Sequence, residues 1–305
     1  MDIQPAEQHT PVPTAFGYSK IPAASASAWK IDPCERIMII APHPDDEVLA
    51  AGGVIATAVG SSNPIRIIIA TNGDASYATA LSHGSHIITR KNFQRQAVMR
   101  QQESLNALAS LGLTAQHIHF WGFPDRGVAA LWNKHWDEDH PYCSATTGYQ
   151  SSIQALNSIV MPYTDESLNR LFQYELVEFS PTLLIMPHPL DQHSDHNSLA
   201  GFTLRAVKSY HEQTQLSTPS LLAYWMWHKD KPWLTGPRPH NLASFYLQTD
   251  SAIVPDLCLT LSPALRDQKL RALQCYPSQK ISAGKIFREV SKDTHENFTI
   301  LQPVH

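Results

Sequence analysis

Apolar positions along the 305-residue chain fall into two alternating kinds of segment. Short continuous runs rich in β-branched residues occur at Arg36 to Ile40, Ile65 to Ala70, His117 to Phe120 and Thr182 to Met186. Longer stretches with helical spacing lie between them, at Val48 to Val59, Asn92 to Leu111, Glu166 to Glu178 and about His196 to His211. A strand that is apolar at nearly every position is buried on both faces. The alternation therefore predicts an α/β fold, a mainly parallel sheet with helices on both faces. After Leu221 the chain turns strand-like (Leu222 to Trp227, Ser244 to Gln248), then helical from Pro263 to Gln274. Residues 1–30, rich in Pro, Ala and Ser, carry no sustained period and are expected to form a poorly ordered arm. Residues 31–305 are expected to form one domain, with an inserted loop at about 126–164. That insertion carries Trp132, Trp136, Tyr142 and Tyr149, and a loop of such length is usually functional or disordered.

Composition narrows the classes. A hydrophobic content of 43% with 16% charged residues describes an ordinary globular protein. A net charge of −4 gives no electrostatic reason to expect nucleic acid as a partner. The cysteines Cys34, Cys143, Cys258 and Cys275 are scattered, which argues against a disulfide framework or a zinc ribbon. No basic and apolar leader opens the sequence and no apolar stretch is long enough to span a bilayer, so a cytoplasmic protein without a membrane span is expected. A homo-oligomer is compatible with all of this.

The candidate chemistry lies in two turns, each directly after a strand-like run. The first is Pro42-His43-Pro44-Asp45-Asp46-Glu47; the second runs from His188-Pro189 to His193-Ser194-Asp195-His196. In a parallel sheet both turns fall at strand carboxyl ends, where the ligand crevice of such folds lies. His43 and Asp46 can meet one ion in a tight turn, and His196 is the best-placed third donor. Three protein ligands with an open position are the usual layout of a catalytic zinc site. Such an ion lowers the pKa of its water towards about 7 and polarises a carbonyl. Asp45 is then placed to act as general base, and His193 to stabilise an oxyanion or protonate a leaving amine, with Asp195 orienting its ring and keeping it cationic. The plainer alternative is that Asp45 and Asp46 cap the following helix. Two ligand-rich turns in matching positions argue against capping alone.

These motifs resemble the PIG-L (LmbE-like) family of metal-dependent de-N-acetylases. The resemblance implies a Rossmann-like fold and removal of acetyl from N-acetylglucosamine units of glycolipids, thiol-precursor glycosides and antibiotics. It implies His43, Asp46 and His196 as zinc ligands, Asp45 as base, His193 as the histidine that stabilises the transition state and Asp195 as its partner. Weaker echoes are Thr71-Asn72-Gly73-Asp74, Arg100-x-x-Glu103, Gly122-Phe123-Pro124-Asp125 and Tyr276-Pro277-Ser278-Gln279. The long insertion, and Arg126 directly after Asp125 where the family often has glycine, depart from the pattern and bear on the substrate.

Candidate substrate contacts are Arg100, Asp125, Asn72 and His228. For Arg100 the alternative is a solvated i, i+3 pair with Glu103; for Asn72 and Asp125 it is ordinary turn chemistry. The cluster His135 to Cys143 offers metal-ligating residue types but no element to hold them, so a solvated loop is favoured. His83 and His86 lie in a Ser/Gly-rich loop without evident chemistry. Tyr224 to His228 reads first as a buried strand. The expectation is thus a zinc-dependent hydrolase of an N-acetylated amino sugar or glycoconjugate. Ferrous iron or another divalent ion would accept the same donors. The rivals are an amidase for a non-sugar acylated amine and a non-catalytic sugar-binding protein. A dinucleotide enzyme is discounted, because Ala51-Gly52-Gly53 lacks the Gly-x-Gly-x-x-Gly spacing.

Overall fold

A computed structural model describes residues 26–82, 87–152, 160–226 and 255–301. Its centre is the run expected from the sequence, β2 (Ile37–Ala41), flanked by β3 (Ile65–Thr71) and β4 (Ile118–Phe123) on one side and by β5 (Leu183–Pro187) and β6 (Ser220–Tyr224) on the other. These five strands are parallel. Three further strands, β1 (Ser27–Ala28), β7 (Leu257–Thr260) and β8 (His295–Leu301), complete an eight-stranded sheet in the order β1-β7-β8-β6-β5-β2-β3-β4. β8 runs antiparallel to both β6 and β7.

Alternation along each strand divides the core. Ile37, Ile39, Ile67 and Ile69 face α1 (Asp46–Gly60), α3 (Arg90–Ser110) and α7 (Pro263–Gln274). Met38, Ile40, Ile68 and Met186 face α4 (Val128–Lys134), α5 (Asp165–Phe179) and α6 (Ser194–Thr214). Short helices α2 (Tyr77–Ser82), α8 (Gln279–Ser282) and α9 (Gly284–Val290) complete the described set. Both faces are covered, which explains why the central strands are apolar throughout.

The strand order has a consequence for the site. The chain leaves β2 into α1 on one face and leaves the adjacent β5 into α6 on the other. The two connections part at the carboxyl ends and open a crevice at the topological switch point.

The sequence pattern anticipated the parallel strands and long helices to within a few residues. It missed β1, β7, β8 and the short helices, which are brief or alternate apolar with polar. Ser27–Ala28 fell within the expected arm, yet this pair joins β7, and Trp29 packs edge-on against Phe298 at 5.6 Å. The insertion contains α4 and a turn-rich segment secured to its surroundings. The expected strand Ser244 to Gln248 lies outside the described residues.

α1 is kinked at Ala51 (φ −137°, ψ 22°). The kink leaves backbone groups without helical partners. Glu296, from β8, accepts from Gly53 N–H at 2.7 Å and Val54 N–H at 2.9 Å, while Lys269 Nζ donates to Leu49 O at 2.9 Å and to Glu296 Oε1 at 2.5 Å. Both side chains are buried. The C-terminal elements thereby cap a break in the helix that carries the first motif. Glu296→Ala should lower stability by about 3–5 kcal/mol, because it leaves Lys269 and two N–H groups buried without their acceptor. Chemical denaturation would check this; a loss below about 1 kcal/mol would refute it.

Candidate active site

The first motif turn is bent tightly. Asp45 stands at the N-cap of α1 with φ 136°, a backbone conformation rare for a residue with a side chain, and its carboxylate makes no cap hydrogen bond. Capping therefore does not explain Asp45. Its N–H donates instead to Glu47 Oε2 at 2.9 Å, and Tyr276 donates its hydroxyl to Glu47 Oε1 at 2.6 Å. The Asp45 carboxylate turns to Arg100, whose Nη2 lies 3.1 Å away. Arg100 also donates to Pro44 O at 2.7 Å and Gly73 O at 2.8 Å. Gly73 has φ 60°, and a Cβ there would meet Arg100 Nη1 at 1.9 Å, so only glycine admits this approach.

The three expected ligands converge. His43 Nδ1 is 3.0 Å from Asp46 Oδ2, His196 Nε2 is 3.1 Å from the same oxygen, and the two ring nitrogens are 3.3 Å apart. Ligands at about 2.0–2.1 Å in a tetrahedron stand roughly 3.3 Å from one another, so this spacing suits one small cation. The opposite nitrogen of each ring meets a carboxylate. His43 Nε2 lies 3.3 Å from Asp195 Oδ2 and 3.4 Å from Asp125 Oδ1; His196 Nδ1 lies 3.4 Å from Asp191 Oδ2. Metal-binding imidazoles characteristically turn their other N–H to such a partner, which fixes tautomer and orientation. The residues present therefore fit a divalent ion.

Burial opposes charge throughout this cluster, and the partners outweigh it at most positions. The histidines hold Asp46 well below the usual carboxylate range despite its burial, and His43 does the same for Asp125. Asp125 chiefly raises His43 against the effect of burial, and Asp46 and Asp191 raise His196 to about 9. Protons on the two rings or one divalent cation would supply the positive charge the carboxylates require. Burial pushes Asp45 up to about 8, opposed chiefly by Arg100 and reinforced by Asp46.

Two expectations change at the second turn. Asp195 was expected to orient His193; its carboxylate instead accepts from Arg126 N–H at 2.5 Å and Val128 N–H at 3.2 Å and faces His43. Asp195 meets His193 through its backbone, N–H donating to His193 Nδ1 at 3.2 Å. An accepting Nδ1 places the ring proton on Nε2 of a neutral imidazole. Burial beside His43 and His196 lowers His193 to about 4, so the expected imidazolium is not favoured.

The expected substrate contacts divide. Asp125 joins the His43 side of the cluster and accepts from Ala75 N–H at 3.0 Å. Asn72 is engaged at both ends, donating to Gly122 O at 3.3 Å and accepting from Gln101 at 2.6 Å, which makes it a structural amide. Arg100 is buried and does not form the solvated pair with Glu103, whose carboxylate accepts from Ser278 N–H and Oγ. Its guanidinium positions the Asp45 turn. His228, His83 and His86 lie outside the described residues. The loop pair Asp137 and His140 is exposed. Sequence reasoning gave no role to Asp191, Glu47 or Tyr276. Asp191 precedes His193 by two residues and could have been found as one more acid in the turn. The Tyr276 echo gained its meaning only from the contact with Glu47.

Fold and site together define a class, an α/β protein whose crevice is built to hold a divalent cation beside a poised carboxylate. A family model described as PIG-L, GlcNAc-PI de-N-acetylase, matches residues 38–207, more than half of the chain. The chain belongs to the PIG-L family and is a hydrolase of the de-N-acetylase kind. A search of curated protein sequences returns no match. Among solved structures, the conserved protein TT1542 from Thermus thermophilus is similar, with a TM-score of 0.54 and 19% identity over 89% of this chain and 96% of that one. GalB, the 4-carboxy-2-hydroxymuconate hydratase from Pseudomonas putida, gives 0.55 and 14% over 88% and 97%. The N,N'-diacetylchitobiose deacetylase from Pyrococcus horikoshii gives 0.51 and 16% over 87% and 83%. At these identities the likeness is one of fold.

Asp191→Asn should weaken divalent-metal binding, read with zinc as the probe ion, roughly 10–100-fold while leaving the fold intact. Competition against a chromophoric chelator would measure it, and unchanged affinity would remove Asp191 from the metal centre.

Proposed function

We propose that this protein is a zinc-dependent de-N-acetylase of an N-acetylglucosamine-type amino sugar or glycoconjugate, releasing acetate. The observation that carries the reading is the convergence of His43, Asp46 and His196 beside a carboxylate, Asp45, that is held by Arg100 and not used as a cap. A divalent ion held by those three residues would supply Lewis acidity to the acyl carbonyl and would acidify a water. Asp45 accepts the proton of the attacking water. The same carboxyl returns that proton to the departing amine nitrogen, a task open to a carboxyl that burial holds above the usual carboxylate range. The Nε2–H of neutral His193 hydrogen-bonds the developing oxyanion. Asp195 and Asp191 keep the rings of His43 and His196 in orientation, and Arg100 keeps Asp45 in place. Asp125, at the edge of the cluster, is a candidate for a sugar hydroxyl.

A fold shared with both a deacetylase and a hydratase does not choose the reaction, since activity resides in the site. The family match and the base beside the donor set favour the amide. Four free cysteines fit a reducing, cytoplasmic setting. Among the described residues no helix is long and apolar enough to cross a membrane.

Acetate release from N-acetylglucosamine and its simple glycosides, before and after metal removal, is the direct test. Release should cease with a chelator and return with zinc. If the fully zinc-loaded protein released no acetate from any member of the panel, the sugar assignment would fall. Asp45→Asn should keep zinc bound and lower kcat by about 10²–10⁴-fold; near-normal turnover would refute the base assignment. In Arg100→Met the lost cation raises the pKa of Asp45. The basic form exists only above that pKa, so the acid limb of the kcat profile should move to higher pH. A limb that stayed in place would separate Arg100 from Asp45.

A further inference from the structure

Asp45 is gripped at two points. Its N–H donates to Glu47 Oε2 at 2.9 Å, and its carboxylate faces Arg100 Nη2 at 3.1 Å. The first grip holds the backbone at φ 136°, where a residue with a side chain is strained and stays only if its surroundings fix it. The second aims the carboxylate. A long side chain grips accurately only when it is itself held, so each grip depends on what stands behind it.

Both grips lead back to one short segment far along the chain, Tyr276-Pro277-Ser278, between α7 and α8. Tyr276 is fully buried and donates its hydroxyl to Glu47 Oε1 at 2.6 Å. The carboxylate that holds Asp45 N–H is thus fixed at its other oxygen. The Tyr276 ring lies edge-on to Phe287 of α9 at 6.2 Å. Burial, with the charge of Glu47, pushes its phenol well above the usual range and keeps it a donor. Two residues on, Ser278 donates its N–H at 3.0 Å and its hydroxyl at 2.6 Å to Glu103. Glu103 stands one turn along α3 from Arg100, so these bonds fix the helix beside the second grip.

The neighbouring Asp46 is held differently. Its Oδ2 accepts from His43 N–H at 3.0 Å and lies against the rings of His43 and His196. None of those contacts passes through Glu47 or Tyr276. Two adjacent aspartates are therefore secured by separate networks, one local to the cluster and one reaching the segment after α7. We propose that Tyr276 and Ser278 are positioning residues for the general base, acting through Glu47 and Glu103 to hold Asp45 while taking no part in the ligand set. This rests on the de-N-acetylase reading above and adds to it the support that keeps its base in place.

The test is steady-state kinetics of the zinc-loaded protein on N-acetylglucosamine and its simple glycosides, with zinc affinity from chelator competition and thermal melting measured for each variant. Tyr276→Phe keeps the buried ring and removes the hydroxyl. It should lower kcat about 10–100-fold, the scale of a slightly misplaced catalytic group, with KM and zinc affinity within about twofold of wild type. Ser278→Ala should move kcat in the same direction, and it carries the test if Tyr276→Phe does not fold. Asp45→Asn supplies a readout that a merely structural role would not move. In that background Tyr276→Phe should cost no further kcat, because no base remains to be misplaced. With an active wild type, a variant kcat within about twofold, a zinc affinity that falls in step with kcat, or losses that multiply in the double variant would overturn the inference alone. Wild type without turnover on the whole panel would overturn the function reading and this inference with it.

Discussion

The carboxylates of Asp45, Asp46, Asp125, Asp191 and Asp195 crowd one crevice, and an ionised carboxylate taken out of water is costly unless something compensates it. Much of the local structure answers that requirement. Arg100 faces Asp45, two backbone N–H groups face Asp195, and the rings of His43 and His196 lie between carboxylates on both sides. A divalent cation would complete the compensation with the donors that remain. The same crowding divides two adjacent residues by role. Asp46, against both rings, is held ionised, whereas burial raises Asp45 to about 8. One carboxylate is suited to hold a cation and its neighbour to carry a proton.

That arrangement depends on geometry set some distance away. Neighbouring strands β2 and β5 send their chains to opposite faces, which places two short turns side by side although about 150 residues separate them. α1 then has to start from a strained Asp45 and accommodate a kink at Ala51. Lys269 and Glu296 take up the backbone groups freed by that kink, and Tyr276 fixes Glu47 at its first turn. These three residues lie outside the span matched by the family model, yet they stabilise the helix on which its first motif stands.

Similar folds serve a deacetylase and a hydratase, so the scaffold supplies the crevice and the side chains supply the reaction. In this chain the start of the insertion borders the site, Arg126 and Val128 N–H donating to Asp195. Trp132, one of its aromatics, faces inward, edge-on to Phe202 at 4.9 Å with Arg205 over its ring, while Trp136 is exposed. An aromatic-rich insertion thus divides its residues between core and surface, a division that composition cannot reveal.

By itself the sequence determined the parallel sheet, the long helices and the two histidine turns, because continuous apolar runs and clustered ligand residues are local properties. It placed His43, Asp46 and His196 together, since strand ends of one sheet share an edge. What each remaining polar residue does was decided only by tertiary structure. Arg100 and Asn72 look like substrate contacts in sequence and are held inside by Asp45, Gly73, Gly122 and Gln101. Asp195 looks like the partner of His193 and faces His43. The strands β7 and β8 escaped notice because a half-buried, partly polar strand at the antiparallel side carries little periodic signal. The physical reason is common to these cases: the direction of a side chain, and the partner that compensates its charge, depend on residues far away in the chain.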